Sequence, residues 1–175
     1  MFTPAAIKEI YQALVGVTLD DHASDDVKDE VRGALLTVAP AHWTAQASAL
    51  GEAAGKNAAE WWAQDAIGGR QTSGTKAYDI ATTTLKGLED GDPAVLDTLP
   101  RCDLSGEWAG ERTPRTLLED EIECDWEEIC EDIGLDPMET QEAVSDAYET
   151  AFNDAVSDEI QLMCLNYTQP EKEDA

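Results

Sequence analysis

The sequence predicts an all-α protein, a helical bundle of about six helices. Apolar residues recur at spacings of three and four along most of the chain, which is the period of one side of an α-helix. No segment shows the strict alternation of apolar and polar residues that is typical of a strand. The 7 Pro and 12 Gly residues fall mostly between the periodic segments, where they end helices. At 175 residues and 42% hydrophobic, the chain can build one core, and the acidic C-terminal segment can form a lobe on it.

The first two predicted helices have clear start signals. Thr3 is a good N-cap and Pro4 suits the first helical position, and Gly16 ends this helix. The second helix starts with the Ser-Asp pair at Asp25 and is expected to end at Pro40, because proline inside a helix removes a hydrogen bond.

A third helix is predicted from Pro40 to Ile67, completing an N-terminal helical segment over residues 1–67. Its apolar positions follow spacings of three and four and indicate one buried stripe. They are Trp43, Ala47, Leu50, Ala54, Ala58 and Trp61. Many of these residues are small, which would allow a neighbouring helix to approach closely.

Residues 68–115 are predicted to be a connector with short helices and an ordered loop. A Gly-rich stretch at residues 68–74 precedes a fourth helix, which ends near Gly91. Asp92 and Pro93 then start a short helical turn through Leu96. Residues 101–115 have no clean period, and Leu104 and Trp108 would anchor them as a loop.

The most informative segment is the last third of the chain. Residues 116–175 include 20 Asp or Glu and a single basic residue, Lys172, so they carry about −19 of the formal net charge of −27. The acids alternate with apolar residues at helical spacing, which predicts two amphipathic helices over residues 116–168 and a charged tail over 169–175. The first acidic helix would end at Gly134, and the second would start at Asp136.

The acidic helices are also the one part of the sequence with a defined mechanism. Carboxylates at fixed intervals on a stiff helix can resemble the phosphate array of DNA. The sequence therefore predicts a DNA-mimic inhibitor that binds a basic, nucleic-acid-binding protein. The candidate contact residues are Glu119, Glu123, Asp125, Glu127, Glu128, Glu131, Asp132, Glu142, Asp146, Glu149, Asp154 and Asp158. Trp126 lies among them, and its spacing from Ile122 and Ile129 favours core packing over a role as an exposed anchor.

Two stretches in the middle of the chain resemble a known group of proteins. They are NAAEWWAQDAIGGR and, further on, GLEDGDPAVLDTLPRCDLSGEWAGERTPRTLLEDE, which lie between Asn57 and Glu121. The likeness is to small acidic proteins of unassigned function from actinobacterial phages, plasmids and integrated elements. This resemblance implies a mobile-element setting, in which acidic inhibitors of restriction enzymes or other defence nucleases are common. It implies no site residue and no activity.

Catalytic and cofactor motifs fail on spacing. The stretch from Gly51 to Asn57 has one residue too few between its glycines for a phosphate-binding loop. Ser73 and Lys76 match only the first of the motifs of an acyl-enzyme site. The four cysteines and two histidines lack zinc-site spacing, and Cys130 and Cys164 lie on apolar helix faces, as buried reduced thiols would. We therefore expect no cofactor, no metal and no catalytic residue.

Charge and hydropathy exclude several partners. A net charge of −27 repels nucleic acid and anionic lipid, and no segment is apolar enough to span a membrane. The N-terminus lacks the basic residues of a signal peptide, so we expect a cytoplasmic protein.

Three other interpretations stay open at this point. In the first, the acids form a solvated or halophilic surface, with no dedicated basic partner. The helix that contains Trp61 and Trp62 could mediate self-association, for example as a homodimer, in a structural module of a mobile element. Finally, an enzyme could use a carboxylate pair that the motifs do not reveal, since 38 acids always offer pairs.

Overall fold

The computed structural model describes residues 4–18, 22–69, 73–102, 104 and 126–168. Within these residues the chain forms six helices and no strand, which confirms the all-α prediction. The helices are α1 (Pro4–Thr18), α2 (Asp25–Ala66), α3 (Gly74–Asp90), α4 (Pro93–Leu96), α5 (Trp126–Ile133) and α6 (Pro137–Thr168).

The chain divides into two compact units, each built from two separate stretches. The first unit comprises Met1–Leu50 and Asp103–Glu149, and the second comprises Gly51–Cys102 and Thr150–Ala175. The long helices α2 and α6 each contribute residues to both units.

The prediction that Pro40 ends a helix is wrong. The structure has one continuous helix in which Pro40 is an interior residue. Residues on both sides of Pro40, including Leu35, Ala39 and Trp43, are buried in the same core. Burial of these side chains offsets the roughly 3 kcal/mol that an interior proline costs. The Thr44 hydroxyl also donates a hydrogen bond to the Pro40 carbonyl oxygen at 2.8 Å.

The buried side of α2 also differs from the predicted stripe. Burial recurs at every fourth residue, at Leu35, Ala39, Trp43, Ala47, Gly51, Gly55 and Ala59. An α-helix repeats every 3.6 residues, so a strict spacing of four winds around the helix instead of following one side. The predicted stripe diverges from the buried one after Ala47, and Leu50 and Trp61 are exposed.

The core of the first unit is built around aromatic rings. The Trp43 and Trp126 rings are 4.9 Å apart, and both side chains are fully buried. Tyr11 of α1 contacts the edge of Trp43 and stacks on His42, with ring centroids 4.5 Å apart. These contacts join α1, α2 and α5 in one cluster, which also takes in Val144 of α6.

The second unit depends on a close approach between α2 and α6. Gly55 lies against the backbone of Phe152, and a Cβ at position 55 would overlap the Phe152 carbonyl oxygen. The same Cβ would lie 3.0 Å from the Cβ of Ala155. Glycine is therefore required at position 55 for packing, although it is a poor helix former.

We expect Gly55→Ala to lower the free energy of unfolding by about 1–2 kcal/mol, because the clash outweighs the gain in helix propensity. Gly33→Ala is the matched control in the same helix, since nothing lies within 4 Å of a Cβ there. That variant should gain about 0.5–1 kcal/mol. Urea denaturation followed by far-UV circular dichroism measures both. Equal effects of the two substitutions would contradict the close approach.

The prediction that Gly16 ends the first helix is wrong, because α1 continues to Thr18. Other helix ends follow the predicted signals. Asp92 caps α4 and Pro93 is its first residue, as expected from the Asp-Pro pair. Asp136 Oδ1 accepts hydrogen bonds from the backbone N–H groups of Met138 and Glu139 at 2.9 and 3.0 Å, and so caps α6. Gly134 has a φ of 89° and ends α5, with its N–H donating to the Cys130 carbonyl.

Cys130 and Cys164 are buried and form no disulfide bond, which confirms the prediction of buried reduced thiols for these two residues. Burial raises the pKa of the Cys164 thiol to about 11, so the thiol stays protonated at neutral pH.

Candidate protein-binding surface

The apolar sides of α5 and α6 fix the direction of their acidic side chains in the first unit. Trp126, Cys130 and Ile133 of α5 are buried in the aromatic core, and Val144 of α6 is buried in the same cluster. The Trp126 indole N–H donates a hydrogen bond to the Pro137 carbonyl oxygen at 3.2 Å, which ties the start of α5 to the start of α6. The remaining sides of both helices face solvent and carry the carboxylates.

We call seven of these carboxylates the acidic face. All are exposed residues of the first unit: Glu127, Glu128, Glu131 and Asp132 on α5, and Glu142, Asp146 and Glu149 on α6. Asp154 and Asp158, which the sequence also singled out, are exposed on the part of α6 that belongs to the second unit. The other three candidates, Glu119, Glu123 and Asp125, lie outside the described residues.

The carboxylates of the acidic face are regularly spaced. Glu142, Asp146 and Glu149 are separated by four and three residues, or about 6 and 4.5 Å along the helix axis. On α5, Glu127 and Glu131 are one turn apart, and so are Glu128 and Asp132. One strand of DNA carries a phosphate about every 3.4 Å along the duplex axis. The helical rows thus offer charges at intervals of the same order as those of a nucleic acid backbone.

Few positive charges oppose this surface. Helices α5 and α6 contain no Lys or Arg. In the part of the chain that the structure describes, no basic group lies within 4.0 Å of Glu131, Asp146 or Glu149. The ion pairs Arg32–Asp29, Lys56–Glu52 and Arg101–Asp97 each join exposed residues three or four apart in sequence. Such pairs stabilise their own segment by little and do not neutralise Glu131, Asp146 or Glu149.

The like charges on α5 and α6 destabilise these helices when they are isolated from the core. Like charges one turn apart destabilise a helix by about 0.2–0.5 kcal/mol for each pair. The eight-residue α5 is also too short to form alone in water. Its stability therefore comes from burial of Trp126, Cys130 and Ile133 rather than from the carboxylates. Exposed like charges that oppose helix formation are the kind of feature that a binding function retains.

Trp126 belongs to the core, with a relative exposure of 0%, which confirms the packing that its spacing favoured. It is therefore excluded as an exposed anchor. Two other residues were missed. Glu139 is exposed one turn before Glu142 and extends the α6 row, as its spacing could have indicated. Trp61 was placed on a buried stripe but is 73% exposed.

The described residues show neither a metal site nor a membrane-spanning helix. No group of three or more His, Cys, Asp or Glu side chains in those residues is arranged to hold a metal ion. None of the described helices combines the length and the hydropathy that crossing a membrane requires.

The fold and this surface define an all-α protein whose exposed carboxylates lie in rows on two helices that share one core. Comparison of the chain with models of protein families, with curated proteins and with solved structures gives no match. The functional argument therefore depends on the geometry and charge of this chain alone.

Proposed function

We propose that this protein is a non-enzymatic inhibitor of the DNA-mimic type. It binds a basic, nucleic-acid-binding protein through the acidic face and occludes the surface on which that protein binds DNA. The observation that carries the proposal is the ordered array of exposed carboxylates on α5 and α6, which lack basic residues of their own. If the chain belongs to a mobile element, as expected from the sequence, its target is a host-defence protein such as a restriction enzyme.

The physical basis of binding is electrostatic complementarity. A protein that binds DNA presents a basic surface shaped to accept regularly spaced negative charges. The acidic face offers such charges on a rigid support, and the net charge of −27 steers a basic partner toward it over a distance. Because the contributing charges are exposed, salt screens the attraction, with a Debye length of about 8 Å at physiological ionic strength.

A pull-down with salt elution tests the proposal. The tagged protein is immobilised, lysate of the source cells is applied, and bound proteins are eluted by a salt gradient and identified by mass spectrometry. We expect one dominant nucleic-acid-binding protein that is released over a narrow salt range. A diffuse set of weakly bound basic proteins, or an empty eluate, would instead indicate an acidic surface that serves solvation.

Self-association through α2 remains the second candidate function, and the exposed side chain of Trp61 favours it. Trp43 is buried within its own unit, so it cannot contact a second copy. Sedimentation velocity distinguishes the two functions. A stable dimer that dissociates in Trp61→Ala supports self-association, whereas a monomer at micromolar concentration excludes it.

A further inference from the structure

Trp61 is the outlier among the described tryptophans. Trp43 and Trp126 are fully buried and Trp62 is half-buried, whereas Trp61 is 73% exposed on the part of α2 that belongs to the second unit. A tryptophan side chain can bury about 150–250 Å² when it packs against a partner. It is also among the residues that most often dominate binding at protein interfaces.

The residues around Trp61 determine which partner fits. Its neighbours one turn away on α2 are Asn57, Ala58, Gln64 and Asp65, which are small, polar or acidic. Glu60 is exposed immediately before it. The indole therefore projects from a surface that carries carboxylates and no basic side chain at these positions.

The one basic residue on this part of α2, Lys56, is already neutralised by acids. Its Nζ donates a hydrogen bond to Glu52 Oε1 at 2.5 Å. The Glu52 carboxylate, with a smaller contribution from Glu159, raises the pKa of Lys56, and Lys56 in turn lowers the pKa of Glu52. Lys56 thus offers no uncompensated positive charge to an incoming surface.

The charges around Trp61 distinguish between the kinds of surface that could cover its side chain. A second copy of the chain would place the same acidic surroundings against each other, at a net charge of −27 for each copy. An anionic lipid surface would be repelled for the same reason. An apolar patch rimmed by Lys or Arg, in contrast, would bind favourably. The indole would pack on the apolar patch, and the neighbouring carboxylates would attract the basic rim.

We propose that Trp61 is a second, apolar contact that inserts into a Lys- or Arg-rimmed apolar patch on the basic partner. The inference rests on the proposed function, because it assumes a basic partner protein, and it adds a source of specificity. Carboxylates alone attract any basic surface, whereas the indole selects a surface with a matching apolar patch. Apolar contact is not screened by salt, so Trp61 should matter most at high ionic strength.

Two synthetic helical peptides of equal positive charge test the inference on the full chain. One has a Lys side and a Leu side, and the other has every Leu replaced by Gln. Binding is measured by isothermal titration calorimetry at low and at high salt. We expect wild type to bind the Leu peptide more tightly. Trp61→Ala should raise the Kd for the Leu peptide by about tenfold and change the Kd for the Gln peptide by less than about twofold.

Matched variants separate the indole from a general loss of apolar surface. Met138→Ala removes an equally exposed apolar side chain, 77% exposed, in the first unit and should leave both Kd values unchanged. Trp61→Phe keeps an aromatic ring and should retain most of the binding. Circular dichroism verifies that each variant is folded.

Different results would contradict the Trp61 contact and the proposed function. If Trp61→Ala leaves the Leu peptide within about twofold of wild type, the Trp61 contact is overturned. The proposed function then survives if reversal of the acidic face still abolishes binding of the basic partner. If neither peptide binds wild type, both proposals fail. A wild-type dimer that Trp61→Ala dissociates would also overturn the inference, in favour of a second copy as the occupant.

Discussion

Trp126→Ala should lower the free energy of unfolding by about 3–5 kcal/mol. The side chain is fully buried, its ring is 4.9 Å from that of Trp43, and its N–H bonds the Pro137 carbonyl. Alanine would leave a cavity in the aromatic core and would remove the hydrogen bond from the indole to the Pro137 carbonyl. Because domains of this size are stable by only about 5–15 kcal/mol, a substantial part of the stability would be lost. Urea denaturation followed by circular dichroism measures the change.

Trp61→Ala is the matched control for this prediction. It removes the same side chain from an exposed position, and we expect a change within about 0.5 kcal/mol. If Trp126→Ala costs no more than Trp61→Ala, then Trp126 is not the centre of the core. In that case the inference that this core stabilises the helices of the acidic face would also be wrong.

The second large effect concerns binding. Reversal of Glu127, Glu131 and Asp146 to Lys should weaken binding of the basic partner by at least about 100-fold, because close charge pairs at protein interfaces couple by about 1.5 kcal/mol or more each. The three residues are exposed and lie on both helices of the acidic face. The fold should be retained, since the substitutions leave the buried sides of α5 and α6 unchanged. Calorimetry of the partner at fixed salt gives the affinity, and circular dichroism gives the fold.

A reversal of equal size elsewhere tests whether position matters. Asp79, Glu89 and Asp90 are exposed on α3, and changing all three to Lys alters the net charge by the same amount. If the acidic face is the binding surface, the α3 variant should lose much less affinity than the first variant. Equal losses would mean that net charge alone controls binding. Intact binding in the first variant would exclude the acidic face altogether.

Local signals in the sequence predicted much of the fold. The Asp-Pro pairs at Asp92 and Asp136 mark helix starts because the side chain caps the first turn and proline suits it. The apolar period of α6 correctly separated its buried and exposed sides, since this pattern depends on one helix. The same reasoning predicted the exposure of the nine candidate acids that the structure describes.

The remaining features depend on packing between distant segments. Pro40 continues a helix because residues on both sides of it share one core, which no local pattern reveals. The buried positions of α2 wind around the helix and do not follow one side of it. An apolar stripe on one side of the helix therefore wrongly predicted that Trp61 is buried. Composition alone does not distinguish a binding role of the carboxylates from a solvating one, because a solvated surface and a DNA-mimicking surface have the same composition.

Displacement by DNA tests the central claim most directly. The nucleic-acid-binding partner is captured on the immobilised protein and challenged at constant salt with duplex DNA or with polyglutamate of equal total charge. Mimicry predicts that duplex DNA releases the partner at a much lower charge concentration than polyglutamate, because DNA and the acidic face compete for one site. A partner that stays bound to the protein while it also binds DNA would contradict the claim.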